Sequence, residues 1–282
     1  MYNIVMSIKR HFYNEQHYTI DPETKKITLK NNFHGQLLNK GLWGGSLGLG
    51  FKKIGGSSVG DVLLVDNYKS RFQAFCRMSW VGVPILDRKY VDAGIAIEPK
   101  VLDLISNKLS KPVKGFPAKE YNYDYFKGKD DVVGGLPDGL LEADGIVIEV
   151  KTTGAKNFDK WKKWGIPVAY HKQSQLYTYL MGLKEYVIVA TFLEEEDYAH
   201  PEDYDIVQRK TKLWKFKIDN NQVEDDIKKI KTWYYEYTKS GISPEWDPIL
   251  DKEQIEYLQC KNVDEWLELQ NKWIQQGKIP HE

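Results

Sequence analysis

The chain has 282 residues, with 40 Lys+Arg against 40 Asp+Glu and 13% aromatic residues; it suits one large domain or a domain with extensions, and is long enough for a buried core. Zero formal charge gives no bulk attraction to polyanions, so any nucleic-acid contact needs a local basic surface. Cys76 and Cys260 make neither a CxxC pair nor a disulfide framework, the start MYNIVMSIKRHFYNE has no signal-peptide run, and no stretch nears the roughly 18 apolar residues of a membrane span, which together predict a reduced, cytoplasmic, non-membrane protein.

Residues 1–50 read as an accessory region. Tyr18–Asp21 and Lys26–Lys30 are strands joined by a turn at Pro22–Lys25. The glycine-rich stretch at 41–50 reads as a loop and lacks the spacing and lysine of a phosphate-binding loop. Lys52 and Lys53 then lead into Ile54-Gly55-Gly56-Ser57-Ser58 and an apolar run from Val59 to Val65. Serines ahead of such a run signal a helix N-cap. A helix start preceded by lysines can also take a phosphate, which makes Lys52, Lys53 and Ser57 candidate contacts.

A second helix is predicted over Ser70–Val81 and a third over Arg88–Leu109, with a kink or break at Pro99. Val91, Ile95, Leu102 and Ile105 fall at helical spacing on one face of the third, and Glu98 falls on that face too. A carboxylate on a core-facing stripe is costly unless it meets a partner, an ion or water; the alternative is a helix rotated or broken at Pro99, with Glu98 exposed.

Strand-like segments follow at Tyr121–Phe126, Asp131–Gly134, Gly139–Glu142 and Ile146–Lys151, with a hairpin turn at Ala143-Asp144-Gly145. In the last strand Ile146, Ile148 and Val150 share one face while Val147, Glu149 and Lys151 share the other. Ala169–Gly182 reads as a helix with Gln173, Tyr177 and Leu180 in one stripe. Strands at Tyr186–Leu193 and Lys212–Ile218, an amphipathic helix at Val223–Tyr237 and a helix at Ile255–Trp273 complete the chain. The order fits an α/β domain with a central mixed sheet flanked by helices.

The segment from Pro137-Asp138-Gly139 to Glu149-Val150-Lys151 carries the chemistry. Two carboxylates and a backbone carbonyl, that of Val150, can hold Mg²⁺ through oxygen. Lys151, on the face of Glu149, can hold the attacking water and offset charge at a phosphate. Glu98 and Gln173 can hold water or phosphate nearby, and Tyr177 can do the same or stack on a base. Bound Mg²⁺, or Mn²⁺ in its place, suits phosphodiester hydrolysis. The six scattered histidines form no zinc pattern, no GxSxG elbow is present, and paired-carboxylate glycoside hydrolysis leaves Lys151 without a role.

PDG…IEVK resembles the PD-(D/E)XK nuclease signature, and Gln173-xxx-Tyr177 resembles the helix motif of its lambda-type phage exonuclease and viral recombinase branch. The Ile54–Val59 serine motif, Gly94-Ile95-Ala96-Ile97-Glu98-Pro99 and the ending Ser240-Gly241-Ile242-Ser243-Pro244 match in the same order, so the similarity covers roughly residues 51–245. The resemblance implies a restriction-endonuclease-like nuclease core at 51–245, between a β-hairpin extension at 1–50 and a helical tail at 246–282. It implies Asp138 and Glu149 as metal ligands, Lys151 as catalytic, Glu98 and Gln173 completing the site, and Ser57 with Lys52 or Lys53 on a DNA phosphate. It further implies exonuclease action on linear duplex DNA, a trimeric assembly and a single-strand annealing partner. An endonuclease with the same chemistry and a non-catalytic DNA-binding module are the rival readings.

Overall fold

A computed structural model describes residues 8–43 and 48–280. The centre of the glycine-rich loop and the first residues of the chain lie outside them. The elements in chain order are β1 (Tyr18–Asp21), β2 (Lys26–Leu29), α1 (Asn31–Leu38), β3 (Ile54–Gly55), α2 (Gly56–Leu63), α3 (Arg71–Met78) and α4 (Lys89–Leu109). Then come β4 (Lys114–Gly115), β5 (Val133–Gly134), β6 (Gly139–Leu141), β7 (Ile146–Gly154), α5 (Asn157–Trp164), α6 (Val168–Leu180), β8 (Glu185–Leu193) and β9 (Thr211–Lys217). Helices α7 (Asn220–Ser240), α8 (Lys252–Gln259) and α9 (Val263–Gln275) close the chain. No helix among the described residues is long and apolar enough to cross a membrane.

Contacts divide the chain into two compact units. One comprises Met1–Ile54, Asp61–Asp87 and Lys231–Glu282; the other comprises Gly55–Gly60 and Arg88–Ile230. The boundaries fall within β3, within α2, just before α4 and within α7. The linear division at 50 and 245 follows motif coverage, whereas this one follows packing, which brings the N-terminal and C-terminal stretches into one unit.

In the first unit the β1–β2 hairpin is extended by backbone bonds from Leu29 to Gly241 and from Ser243 to Ile27. Arg10 ties the N-terminal segment to the C-terminal helices. Its guanidinium donates to the Phe12, Tyr257 and Cys260 carbonyls and to the Tyr18 hydroxyl, and it lies 3.8 Å from the Tyr257 ring centroid. Arg10→Met removes every one of these donors at a buried position. A loss of about 3 kcal/mol is expected, read as a lower urea midpoint. The predicted helix over Ile255–Trp273 is instead two helices. Asn262 accepts from the Glu265 N–H and starts α9 afresh, a capping pattern of Asn with Glu three residues on.

The second unit is built on a five-stranded sheet of order β4-β6-β7-β8-β9. Only β7 and β8 run parallel, so they need a crossover connection, supplied by α5 and α6. Ile146, Ile148 and Val150 of β7 and Val187 and Val189 of β8 pack with Ala93, Ile97, Val101, Leu102 and Ile105 of α4. Helix α6 packs on β7 and β8 as well.

Several expectations change here. The buried residues of α4 are Ala93, Ile97, Val101, Leu102 and Ile105, so of the expected stripe Leu102 and Ile105 are buried, while Ile95 is 62% exposed. The apolar count alone could not fix the rotation of the helix. α4 runs unbroken through Pro99, and Glu98 sits half-buried beside the core stripe. Tyr121–Phe126 is a turn, not a strand; Asn122 and Tyr123 adopt left-handed φ values of 49° and 62°. α2 starts at Gly56, so Ser57 and Ser58 lie in its first turn and do not precede it.

Candidate active site

β7 leaves the hairpin with Glu149 and Lys151 on the same face, as strand alternation requires. The pairing of β6 with β7 ends at Gly139 opposite Ile148. The next N–H of β7 on that side belongs to Val150, and the Asp138 carboxylate takes it at 2.7 Å. A strand residue points its N–H and C=O to the same side, so the Val150 carbonyl also lies on the Asp138 side.

Glu149 is 0% exposed. Its Oε1 accepts from Lys151 Nζ at 2.5 Å, while its Oε2 is buried without a partner. Lys151 Nζ lies 3.4 Å from Gln173 Oε1 and 4.9 Å from the Tyr170 ring centroid. Glu98, Asp138, Glu149, Lys151 and Gln173 thus belong to one unit and one electrostatic cluster.

Burial, then the charge of Asp138, pushes the Glu98 carboxyl up to about 7. Burial, Asp138 and Glu98 push Glu149 up to about 8. Asp138 is raised too, by burial, against the pull of Lys151 and the Val150 N–H. Burial opposes the charge on Lys151, yet Glu149 and Asp138 outweigh it and hold the ammonium above the usual lysine range. Three buried or half-buried carboxylates against one ammonium leave an excess of negative charge in low dielectric.

That imbalance and the orphaned Glu149 Oε2 fit a divalent cation. Asp138, Glu149 and the Val150 carbonyl are the oxygens able to hold it. Among the described residues, the trio of His, Cys or acidic side chains with ligand atoms within 4.8 Å of one another is the exposed His200, Glu202 and Asp203; Glu98, Asp138 and Glu149 do not close so tightly. Mg²⁺ requires no such cage, since it binds through one or two carboxylates and keeps several waters.

Tyr177 is placed differently from expectation. It is 2% exposed, and its ring lies 5.7 Å from Phe126 at an interplanar angle of 25°. No face is left for a base, so Tyr177 is a wall of the site and not a stacking platform. Its hydroxyl reaches Gly56 (φ +33°) and Gly135 (φ +130°), where a Cβ would collide with it. Gly135 lets the chain before Asp138, and Gly56 the start of α2, approach Tyr177 of α6. Gly135→Ala meets both the collision and a disfavoured φ, and about 2 kcal/mol of destabilisation is expected in chemical denaturation.

Lys52 and Lys53 belong to the first unit. The Lys52 ammonium lies 3.9 Å from the Trp80 ring centroid. Ser57 stands at the start of α2 in the second unit. Tyr170 was not legible as a site residue, although the spacing of 170, 173 and 177 puts it on the stripe of Gln173 and Tyr177.

No family model matches the chain. An uncharacterized protein of Mycoplasma genitalium is 28% identical over 255 residues, covering 76% of this chain and 89% of that protein. Its Mycoplasma pneumoniae homolog is 27% identical over 262 residues, covering 78% and 89%. Among solved structures, LHK-Exo, an alkaline exonuclease from Laribacter hongkongensis crystallised with dAMP, superposes with a TM-score of 0.50 at 17% identity, over 72% of this chain and 94% of its own. A phage-related exonuclease from Haemophilus somnus gives 0.47 at 14% identity, over 67% and 94%. The fold is therefore like that of LHK-Exo, a mixed sheet flanked by helices.

Proposed function

We propose that the protein is a Mg²⁺-dependent deoxyribonuclease, a phage-type exonuclease acting on linear duplex DNA in recombination or repair. The observation that carries this reading is the Asp138, Glu149 and Lys151 set on β7 and its flank, with Glu149 Oε2 buried and unpartnered in a cluster of three carboxylates against one ammonium. Bound Mg²⁺, or Mn²⁺ in its place, supplies Lewis-acid stabilisation of the phosphate and eases deprotonation of water. Asp138, Glu149 and the Val150 carbonyl hold it.

Lys151 is kept as an ammonium by its carboxylate neighbours, so it acts as a hydrogen-bond donor and a positive charge, not as a base. It orients the attacking water and offsets the charge that grows on the phosphate. Glu98, near neutrality in its proton affinity, can accept a proton from that water. Gln173 keeps Lys151 in place. DNA as substrate is supported by the likeness in fold to exonucleases, one of them crystallised with dAMP. A trimer, an annealing partner, and phosphate contacts from Ser57, Lys52 and Lys53 belong to the same reading.

Linear and covalently closed circular duplex, each with Mg²⁺, form the test. Loss of the linear form with circles intact is the expected result. Cutting of circles would replace the exonuclease by an endonuclease with the same chemistry. Binding without cleavage of either would overturn both.

A further inference from the structure

We propose that α5 is a single-strand tract, whose lysines hold the phosphate backbone of the substrate strand and whose Trp164 stacks on one of its unpaired bases. This deepens the nuclease reading and rests on it. Lys156, Lys160 and Lys163 stand at i, i+4 and i+7, with Trp164 four residues after Lys160, so all four share one side of the helix. All are exposed, and Trp164 is 75% exposed. Among the described residues no carboxylate pairs with any of the three lysines, in a chain where many lysines do have such partners. Asp159 is the only acid of the helix.

The placement of α5 ties it to the centre. Asn157 Nδ2 donates to Thr153 Oγ1 at 2.7 Å, and Thr153 is on the face of β7 that carries Glu149 and Lys151. The inner side of α5 is anchored by buried Trp161, 5.7 Å from the Tyr170 ring and 5.7 Å from Phe192. Tyr170 is the ring beneath Lys151. The helix is thus two ring contacts from the catalytic lysine, held firmly inside while its outer side stays bare.

An exposed indole costs free energy in water and repays it when a base covers it. An unpaired base offers its π-face, as a base within a duplex does not, and lysines spaced along a helix track a single strand's phosphates. Lys163 already lies 4.7 Å from the Trp164 ring centroid, so the charge and the stacking surface are adjacent.

The test is binding of a fluorescent oligothymidylate, with Ca²⁺ in place of Mg²⁺ to prevent cleavage, over a range of salt. Lys156→Ala/Lys160→Ala/Lys163→Ala is expected to reduce the log–log salt slope by about 2. Trp164→Ala, which changes no charge, is expected to weaken binding about tenfold. Both variants should hydrolyse bis(p-nitrophenyl) phosphate with Mn²⁺ as the wild type does, since that reporter is too small to reach α5. An unchanged slope in the first variant, or unchanged affinity in the second, overturns the proposal. Binding that depends on α5 in a protein that cleaves neither DNA nor reporter would uphold the tract and overturn the nuclease reading.

Discussion

Lys151→Ala is expected to lower Mg²⁺-dependent DNA cleavage by about a thousandfold or more while leaving DNA affinity within a factor of a few. The side chain is largely buried and spends its charge on Glu149, Asp138 and the position of the water, not on holding the duplex. The loss has a second component. Lys151 is the group that draws the Glu98, Asp138 and Glu149 carboxyls down. Without it all three rise further, so fewer are ionised at neutral pH and metal binds less readily. Residual activity in the variant should therefore increase as pH is raised, more steeply than in the wild type. Single-turnover cleavage across a pH series, with binding measured alongside, checks both components. An unaffected rate would remove Lys151 from the mechanism.

Glu149→Gln is expected to abolish metal-dependent activity and at the same time to stabilise the metal-free protein at alkaline pH. Glu98 and Glu149 stand at about 7 and about 8 in the fold against an ordinary 4.5. As pH rises, the unfolded chain loses these protons first. The metal-free fold has its full share of stability from these groups below about 4.5 and loses it as pH climbs through about 8. The groups facing the pair are Asp138, Lys151, Tyr170 and Tyr177. Of these, Asp138 adds to the loss and Lys151 limits it. Gln at 149 removes one buried charge and keeps a hydrogen-bond acceptor for Lys151. Its thermal midpoint should exceed the wild type's by several degrees near pH 9 and match it near pH 5. Mg²⁺ should raise the wild-type midpoint more at the higher pH and leave that of the variant unmoved. A wild type with a flat pH profile and no Mg²⁺ effect would contradict the account of these carboxylates.

The centre was legible where chain geometry is rigid. A strand has a period of two, so Glu149 and Lys151 had to share a face, and the structure places them 2.5 Å apart. The short β6–β7 hairpin then brings the Asp138 carboxylate to the Val150 N–H. The mixed sheet and the α6 stripe followed from the same periodicities. Helix rotation was less readable. Ile95 is apolar and exposed, whereas Ala93 is small and buried, so the face of α4 could not be assigned by hydrophobicity alone. Tyr177 has a hydroxyl and a large ring, equally suited to a base or to a wall; Phe126 and the glycines at 56 and 135, brought to it from distant parts of the sequence, decide between these. Helix α5 escaped notice because Phe158, Trp161 and Trp164 lie three apart, a spacing that fits a helix or an irregular loop, and Trp164 points outward.

The most direct measurement is anomalous diffraction from crystals soaked in Mn²⁺. A peak bounded by Asp138, Glu149 Oε2 and the Val150 carbonyl is expected, absent in Asp138→Asn crystals. DNA cleavage by a protein whose Mn²⁺ peak lies elsewhere, at His200, Glu202 and Asp203 for example, would contradict it.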